Sequence, residues 1–151
     1  MQGVAFVLDR YFDDLEVGTR LVSRGRTVTE SDLVMFSAFS GDWFPLHTDK
    51  EYASGTVFGQ RVAHGMLVLS VASGLVPMKP GVVLAFYGMD KVRFTAPTFI
   101  GDTLRVEAEV IEKSDRASFG VITVKQEIKN QRDQICCTAI LKVALNKKTV
   151  E

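Results

Sequence analysis

The sequence lacks an excess charge of either sign. Eighteen Lys and Arg offset eighteen Asp and Glu, so the formal net charge is zero. Nucleic-acid-binding domains usually carry a basic face or a basic excess, and that class is set aside. Cysteine is scarce, two in 151 residues, and the two are adjacent, Cys136 and Cys137. That placement excludes a disulfide scaffold, a CxxC redox pair and a zinc knuckle. Neighbouring residues of a strand point to opposite faces, so Cys137 is expected in the core register and neither thiol as a nucleophile. Histidine is limited to His47 and His64, so no metal-ligand cluster is expected, and no cofactor. The apolar stretch over residues 66–77 contains Ser70, Ser73 and Gly74 and falls well short of the ~20 residues that span a bilayer. The apolar run over 4–8 is too short for a secretory h-region and has no basic flank. These absences predict a cytoplasmic protein that binds neither membrane nor nucleic acid.

What is present is apolar: 46% of the residues are hydrophobic. No repeat, low-complexity tract or linker divides the chain, so residues 1–151 are expected to form one domain. Residues 20–28 read as a strand. Thr29 is an N-cap with Asp32 three residues on, Leu33, Phe36 and Phe39 follow at helical spacing, and Gly41 ends the helix. Pro45 forbids a continuous helix through the next segment. Thr48 to Glu51 reads as a capping box for a short helix reaching Ala53. Residues 64–78 have the length of an ordinary helix but no polar face, which predicts burial on most sides. From residue 83 onward, runs of alternating apolar residues between polar turns predict a β-meander of strands over 83–95, 103–113, 119–129 and 135–145. One apolar helix with about five antiparallel strands implies an α+β architecture, a sheet curved round a helix. Such a sheet leaves an open edge, and a second copy would cover it.

Asp42 precedes His47 by five residues, across Pro45. In a proline-bent loop the two side chains can converge, and a carboxylate and an imidazole aimed at one point can polarise a water. The alternative is that Asp42 caps a turn and His47 serves the adjacent helix. His64-Gly65 precedes the apolar helix, whose first N–H groups lack intrahelical partners and favour negative charge. A glycine there permits close approach to the backbone, as an oxyanion hole requires. An ordinary helix start is the competing reading.

The segment Ser40-Gly41-Asp42-Trp43-Phe44-Pro45-Leu46-His47 resembles the hydratase-2 motif of the MaoC-like, (R)-specific enoyl-CoA hydratase family. The likeness continues through residues 58–67, 91–97 and 101–104, and covers about residues 11–146. It implies a hot-dog fold, a long central helix wrapped by an antiparallel sheet, assembled as a homodimer or a higher oligomer of dimers. It implies an enzyme, a hydro-lyase acting on an acyl-CoA thioester by reversible syn hydration of a trans-2-enoyl-CoA to an (R)-3-hydroxyacyl-CoA. Asp42 and His47 would be the catalytic pair. Gly65 would supply the N–H to the thioester carbonyl, with Ser73 and His64 in support. Trp43 and Phe44 are candidates for the acyl tunnel, with core filling as the other reading. One departure stands out: the family motif has Asn where this chain has Phe44. A hot-dog thioesterase would share the fold, yet residues 65–78 contain no carboxylate to act as base. A non-catalytic acyl-CoA-binding subunit is the other alternative, and both members of the pair are retained. Arg61, Lys79, Lys91 and Arg93 are candidates for CoA phosphates or for solvated surface charges.

Overall fold

The computed structural model describes residues 7–149; residues 4–6 of the first apolar run lie outside them. The expected strand over 20–28 is two short strands, β1 (Arg20–Val22) and β2 (Arg26–Thr27), interrupted at residues 23–25. Next come α1 (Glu30–Ser40), the single turn α2 (Pro45–Thr48), α3 (Lys50–Ser54) and α4 (Gly65–Leu75). The meander follows as β3 (Val83–Phe94), β4 (Thr103–Asp115), β5 (Phe119–Lys129) and β6 (Ile135–Asn146). All pairings are antiparallel, in the order β1-β4-β5-β6-β3, with β2 beside β4. Among the described residues no helix is long and apolar enough to cross a membrane.

Period-two patterning explains the sheet. Leu104, Val106, Ala108 and Val110 of β4 are buried, while Arg105, Glu107 and Glu109 alternate with them on the outer face. There Glu107 is held below the usual carboxylate range, chiefly by its hydrogen bond from Lys129, with Arg105 adding to it. The inner face packs on Leu67, Val68, Val71, Ala72 and Leu75 of α4, as the sequence implied. Both cysteines, however, are buried, and burial pushes the Cys137 thiol up to about 11.

Four expectations need correction. The central helix stops at Leu75, because the chain then turns extended at Val76 ahead of Pro77. It is also open along one side, where Met66, Ser70, Ser73 and Gly74 are exposed, since one sheet covers only one flank of a helix. Phe39 is 89% exposed, because six residues past Leu33 a helix has turned about 120° away from that residue's face. Finally, Thr48 is not the cap of α3. Asp49 takes that place, accepting from the Glu51 and Tyr52 N–H groups, while the Thr48 hydroxyl donates to the Trp43 and Phe44 carbonyls. The Thr29–Asp32 box and the left-handed Gly41 (φ 78°) are as expected.

β3 is an edge strand: among the described residues it pairs only with β6. Leu84, Phe86 and Tyr87 on it are more than half exposed. An apolar, unpaired edge is a template for another chain.

Candidate active site

The loop after α1 is fixed by its own backbone. Gly41 reverses the chain, and the Asp42 N–H then donates to the Ser40 hydroxyl at 3.1 Å. Asp42 Oδ1 accepts the Phe44 N–H at 3.1 Å, which leaves Oδ2 to face His47. Pro45 starts α2 at the first helical position, where its missing N–H costs nothing, and one turn delivers His47.

The His47 ring has a defined proton position. Nδ1 lies 2.6 Å from the Val62 carbonyl oxygen, which can only accept, so Nδ1 carries the hydrogen. In the neutral ring Nε2 is therefore a bare acceptor, and it stands 4.0 Å from Asp42 Oδ2. That gap is too wide for a direct hydrogen bond. Arg61 is not a solvated surface charge, because two of its nitrogens are engaged within the fold. Its Nε donates to the His47 carbonyl at 2.8 Å, and its Nη1 pairs with Glu30 at 2.7 Å.

His64 lies beneath this pair. It is 2% exposed, and its ring stacks on His47 with centroids 3.9 Å apart and planes 26° from parallel. Nε2 donates to the Asp42 carbonyl at 3.1 Å, with Ser37 Oγ at 3.0 Å beside it. Nδ1 is buried and has no partner among the described residues. Burial, and then the nearby His47, hold the His64 pKa below the ordinary imidazole value, against the backbone bond to Asp42. His64 is thus a neutral ring under the pair.

Asp42, His47 and His64 offer ligand atoms within 4.8 Å of one another. The imidazole lone pairs lie in two nearly parallel ring planes and do not converge as a tetrahedral ion requires. His64 Nε2 and His47 Nδ1 are also already committed to carbonyls.

Gly65 is the first residue of α4, where the N–H groups point out of the helix unpaired. A side chain there would need the Phe94 ring or the helix start to shift, since a Cβ would lie 2.7–3.0 Å from that ring. Gly65 and His47 line the same cavity, of about 550 Å3, with Val62, Met66, Phe94 and Cys136. The site therefore joins a polar pair to a helix N-terminus across one apolar hollow.

The structure brings together Asp42, His47, His64 and Gly65. Ser73 lies apart: its hydroxyl donates to the Ser70 carbonyl at 2.7 Å, and it lines a different cavity. Trp43 and Phe44 are half-exposed and line neither cavity. The Phe44 ring instead meets His47 and Tyr52 edge-on. Sequence reasoning missed Ser37, Val62, Arg61's structural role and Phe94. Only Ser37 left a trace, as a polar residue on the same helix face as Leu33.

Known proteins resemble the chain in both sequence and fold. A family model described as the MaoC like domain matches residues 15–132. The Protein MaoC of Klebsiella aerogenes is 43% identical over 99 residues, 64% of this chain but only 29% of that protein. The (R)-specific enoyl-CoA hydratase of Aeromonas caviae is 31% identical over 112 residues, 74% of this chain and 82% of that enzyme. A solved monoamine oxidase regulatory protein from Archaeoglobus fulgius is 43% identical, with a TM-score of 0.88 over 93% of this chain and 96% of that one. The fold is the hot-dog fold, shared with a double hot-dog protein of Mycobacterium tuberculosis at a TM-score of 0.83 and 22% identity, over 94% of this chain and 46% of that one. The sheet curved over α4, the glycine-led helix and the family model agree: the chain belongs to the MaoC-like domain family of hydratases and dehydratases.

Proposed function

We propose that the chain is an (R)-specific enoyl-CoA hydratase, catalysing reversible addition of water across a trans-2-enoyl-CoA. The observation that carries this is the bare His47 Nε2 set 4.0 Å from Asp42 Oδ2. Both are acceptors, so a water between them donates one hydrogen to each and turns a lone pair outward. Its oxygen attacks C3 of the enoyl group, and the pair takes up one proton. The electrons of the double bond pass to the thioester oxygen as an enolate, which the Gly65 N–H receives. The pair then returns a proton to C2. Hydroxyl and hydrogen arrive from one side of the substrate, so addition is syn.

The energetics fit the parts. A fixed donor at the developing oxyanion is worth about 3–4 kcal/mol in comparable sites, and positioned acid–base assistance about 10²–10⁴-fold. His64 keeps the Asp42 carbonyl in place without adding a charge beneath His47. The relatives named as hydratases and dehydratases support the reaction class, and the named (R) specificity supports the stereochemistry. The exposed β3 edge supports a homodimer as the working form, and the cytoplasm is the compartment we assign it.

The test is the loss of enoyl-thioester absorbance with crotonyl-CoA, with release of free CoA followed in parallel. Asp42→Asn and His47→Gln are each expected to lower kcat by about 10²–10⁴ in protein that remains folded. Wild-type rates in both variants, or release of free CoA in place of hydration, would refute the reading.

A further inference from the structure

Gln126 is a buried polar side chain that this mechanism does not use. It stands on the inner face of β5 and is 4% exposed. Among the described residues its amide makes no hydrogen bond, so it is available to a ligand in the cavity that it lines. Its cross-strand neighbours are Ala108 on β4 and Ala139 on β6. Both are small and buried, so the longer Gln126 side chain extends past them. It lines a second cavity, of about 290 Å3, between α4 and the sheet. The walls there are otherwise apolar, from Leu69, Val76, Met89 and Leu141, apart from the Ser73 hydroxyl already given to Ser70.

The cavity is placed to receive one part of the substrate. Met66, Leu69 and Ser73 recur at helical spacing along one face of α4, and Val76 follows just past its end. The cavity is lined from Leu69, about 6 Å along the helix from Gly65, to Ser73, about 12 Å along it, and by Val76 beyond the helix end. With the thioester carbonyl at Gly65, acyl carbons beyond C3 that follow this face enter the cavity. This step rests on the hydratase reading above.

We propose that Gln126 is a specificity-determining residue, whose amide hydrogen-bonds an uncharged oxygen, a hydroxyl or oxo group, on the tail of the acyl chain. An amide both donates and accepts, so it can hydrogen-bond either a hydroxyl or an oxo oxygen. Among the described residues no charged side chain lines the cavity, and a carboxylate buried without a cation is strongly disfavoured. The favoured substrate class is therefore an oxygenated medium-chain enoyl thioester rather than a plain alkyl or a dicarboxylic one.

The experiment measures kcat/KM for enoyl-CoAs of equal length with an alkyl, a hydroxylated, an oxo or a carboxylated tail. Wild type, Gln126→Leu and Gln126→Met are compared. Wild type is expected to favour a hydroxyl or oxo tail over the alkyl one by at least about tenfold, and both variants to reverse or abolish that preference. No such preference in wild type, a preference for the carboxylated tail, or a preference unchanged in a folded variant overturns the proposal while leaving hydratase activity standing. Failure to hydrate crotonyl-CoA or any other enoyl-CoA overturns the hydratase reading and this proposal with it. If neither variant folds, the wild-type preference alone decides.

Discussion

The substitution His64→Phe separates the packing of this ring from its hydrogen bonds and its proton. The ring volume and the stack on His47 are largely kept. The bond to the Asp42 carbonyl and the contact with Ser37 Oγ are lost. Stranding each of these two groups costs about 1–3 kcal/mol. A third group offsets part of this: His64 Nδ1 is buried and unpaired in the wild type, and its removal relieves a penalty of similar size. The net expectation is a loss of about 1–3 kcal/mol at pH 7, read by urea denaturation. The pH dependence is more telling. Burial depresses the folded-state pKa of His64, so the unfolded chain takes up a proton more readily as pH falls below about 6.5. Stability from the neutral ring is present above that pH and is lost as pH falls toward the folded pKa. Between about pH 6.5 and 5 the loss is at most about 2 kcal/mol, a ceiling set by the unfolded pKa. A phenyl ring cannot titrate, so the variant should lack this part of the slope. It should also lower kcat, by up to about 10²-fold, since the Asp42 loop loses one of its anchors and a misplacement of about 1 Å costs that much. A variant that keeps the wild-type slope over this acid range, or with undiminished kcat, would refute this account of His64.

Two further outcomes follow from contacts already described. Gly65→Ala should cut kcat by tenfold or more, because its Cβ would lie 2.7–3.0 Å from the Phe94 ring and overpacking displaces one or the other. Phe94→Ala in the same chain should restore the stability lost, by thermal denaturation, and no restoration would mean that the clash is not with this ring. Leu84→Lys with Tyr87→Lys should shift a dimer to monomer in light scattering, by placing charge on the β3 edge. An unchanged mass would place the interface elsewhere.

The meander was legible because period-two alternation is a direct record of burial: Leu104 to Val110 face in and Arg105 to Glu109 face out without exception. Caps were legible where one side chain and one backbone group decide them, as at Thr29 and Gly41. The reading failed where several groups compete for one position. Thr48 has a capping residue's chemistry, but its hydroxyl is taken by carbonyls 43 and 44, and Asp49 caps α3 instead. The Asp42–His47 pair was visible as two residue types on either side of a proline. What orients it was not, because Val62 contributes a carbonyl, Arg61 a guanidinium to another carbonyl, and His64 a ring stacked from 17 residues away in sequence. Backbone acceptors have no residue-type signature. The surroundings of Ser73 were hidden for a related reason: its place on the helix was readable, but the cavity it lines depends on β3, β5 and β6.

The same distinction resolves the departure at Phe44. If the side chain at that position held Asp42, an aromatic ring there, with no donor and no acceptor, would leave the carboxylate loose. The contact is made instead by the Phe44 backbone N–H, 3.1 Å from Asp42 Oδ1, which any residue but proline supplies. That bond occupies one carboxylate oxygen and leaves the other facing His47. The ring is free for a different task and packs edge-on against His47 and Tyr52, with centroids 6.0 and 6.2 Å away. Aromatic pairs of this geometry contribute about 0.5–1.5 kcal/mol beyond buried area, here discounted because the ring is half-exposed. Phe44 therefore braces α2 against α3 from outside, while the hold on the carboxylate comes from the main chain. The hold on Asp42 thus does not depend on a polar side chain at position 44, because that contact is carried by the backbone.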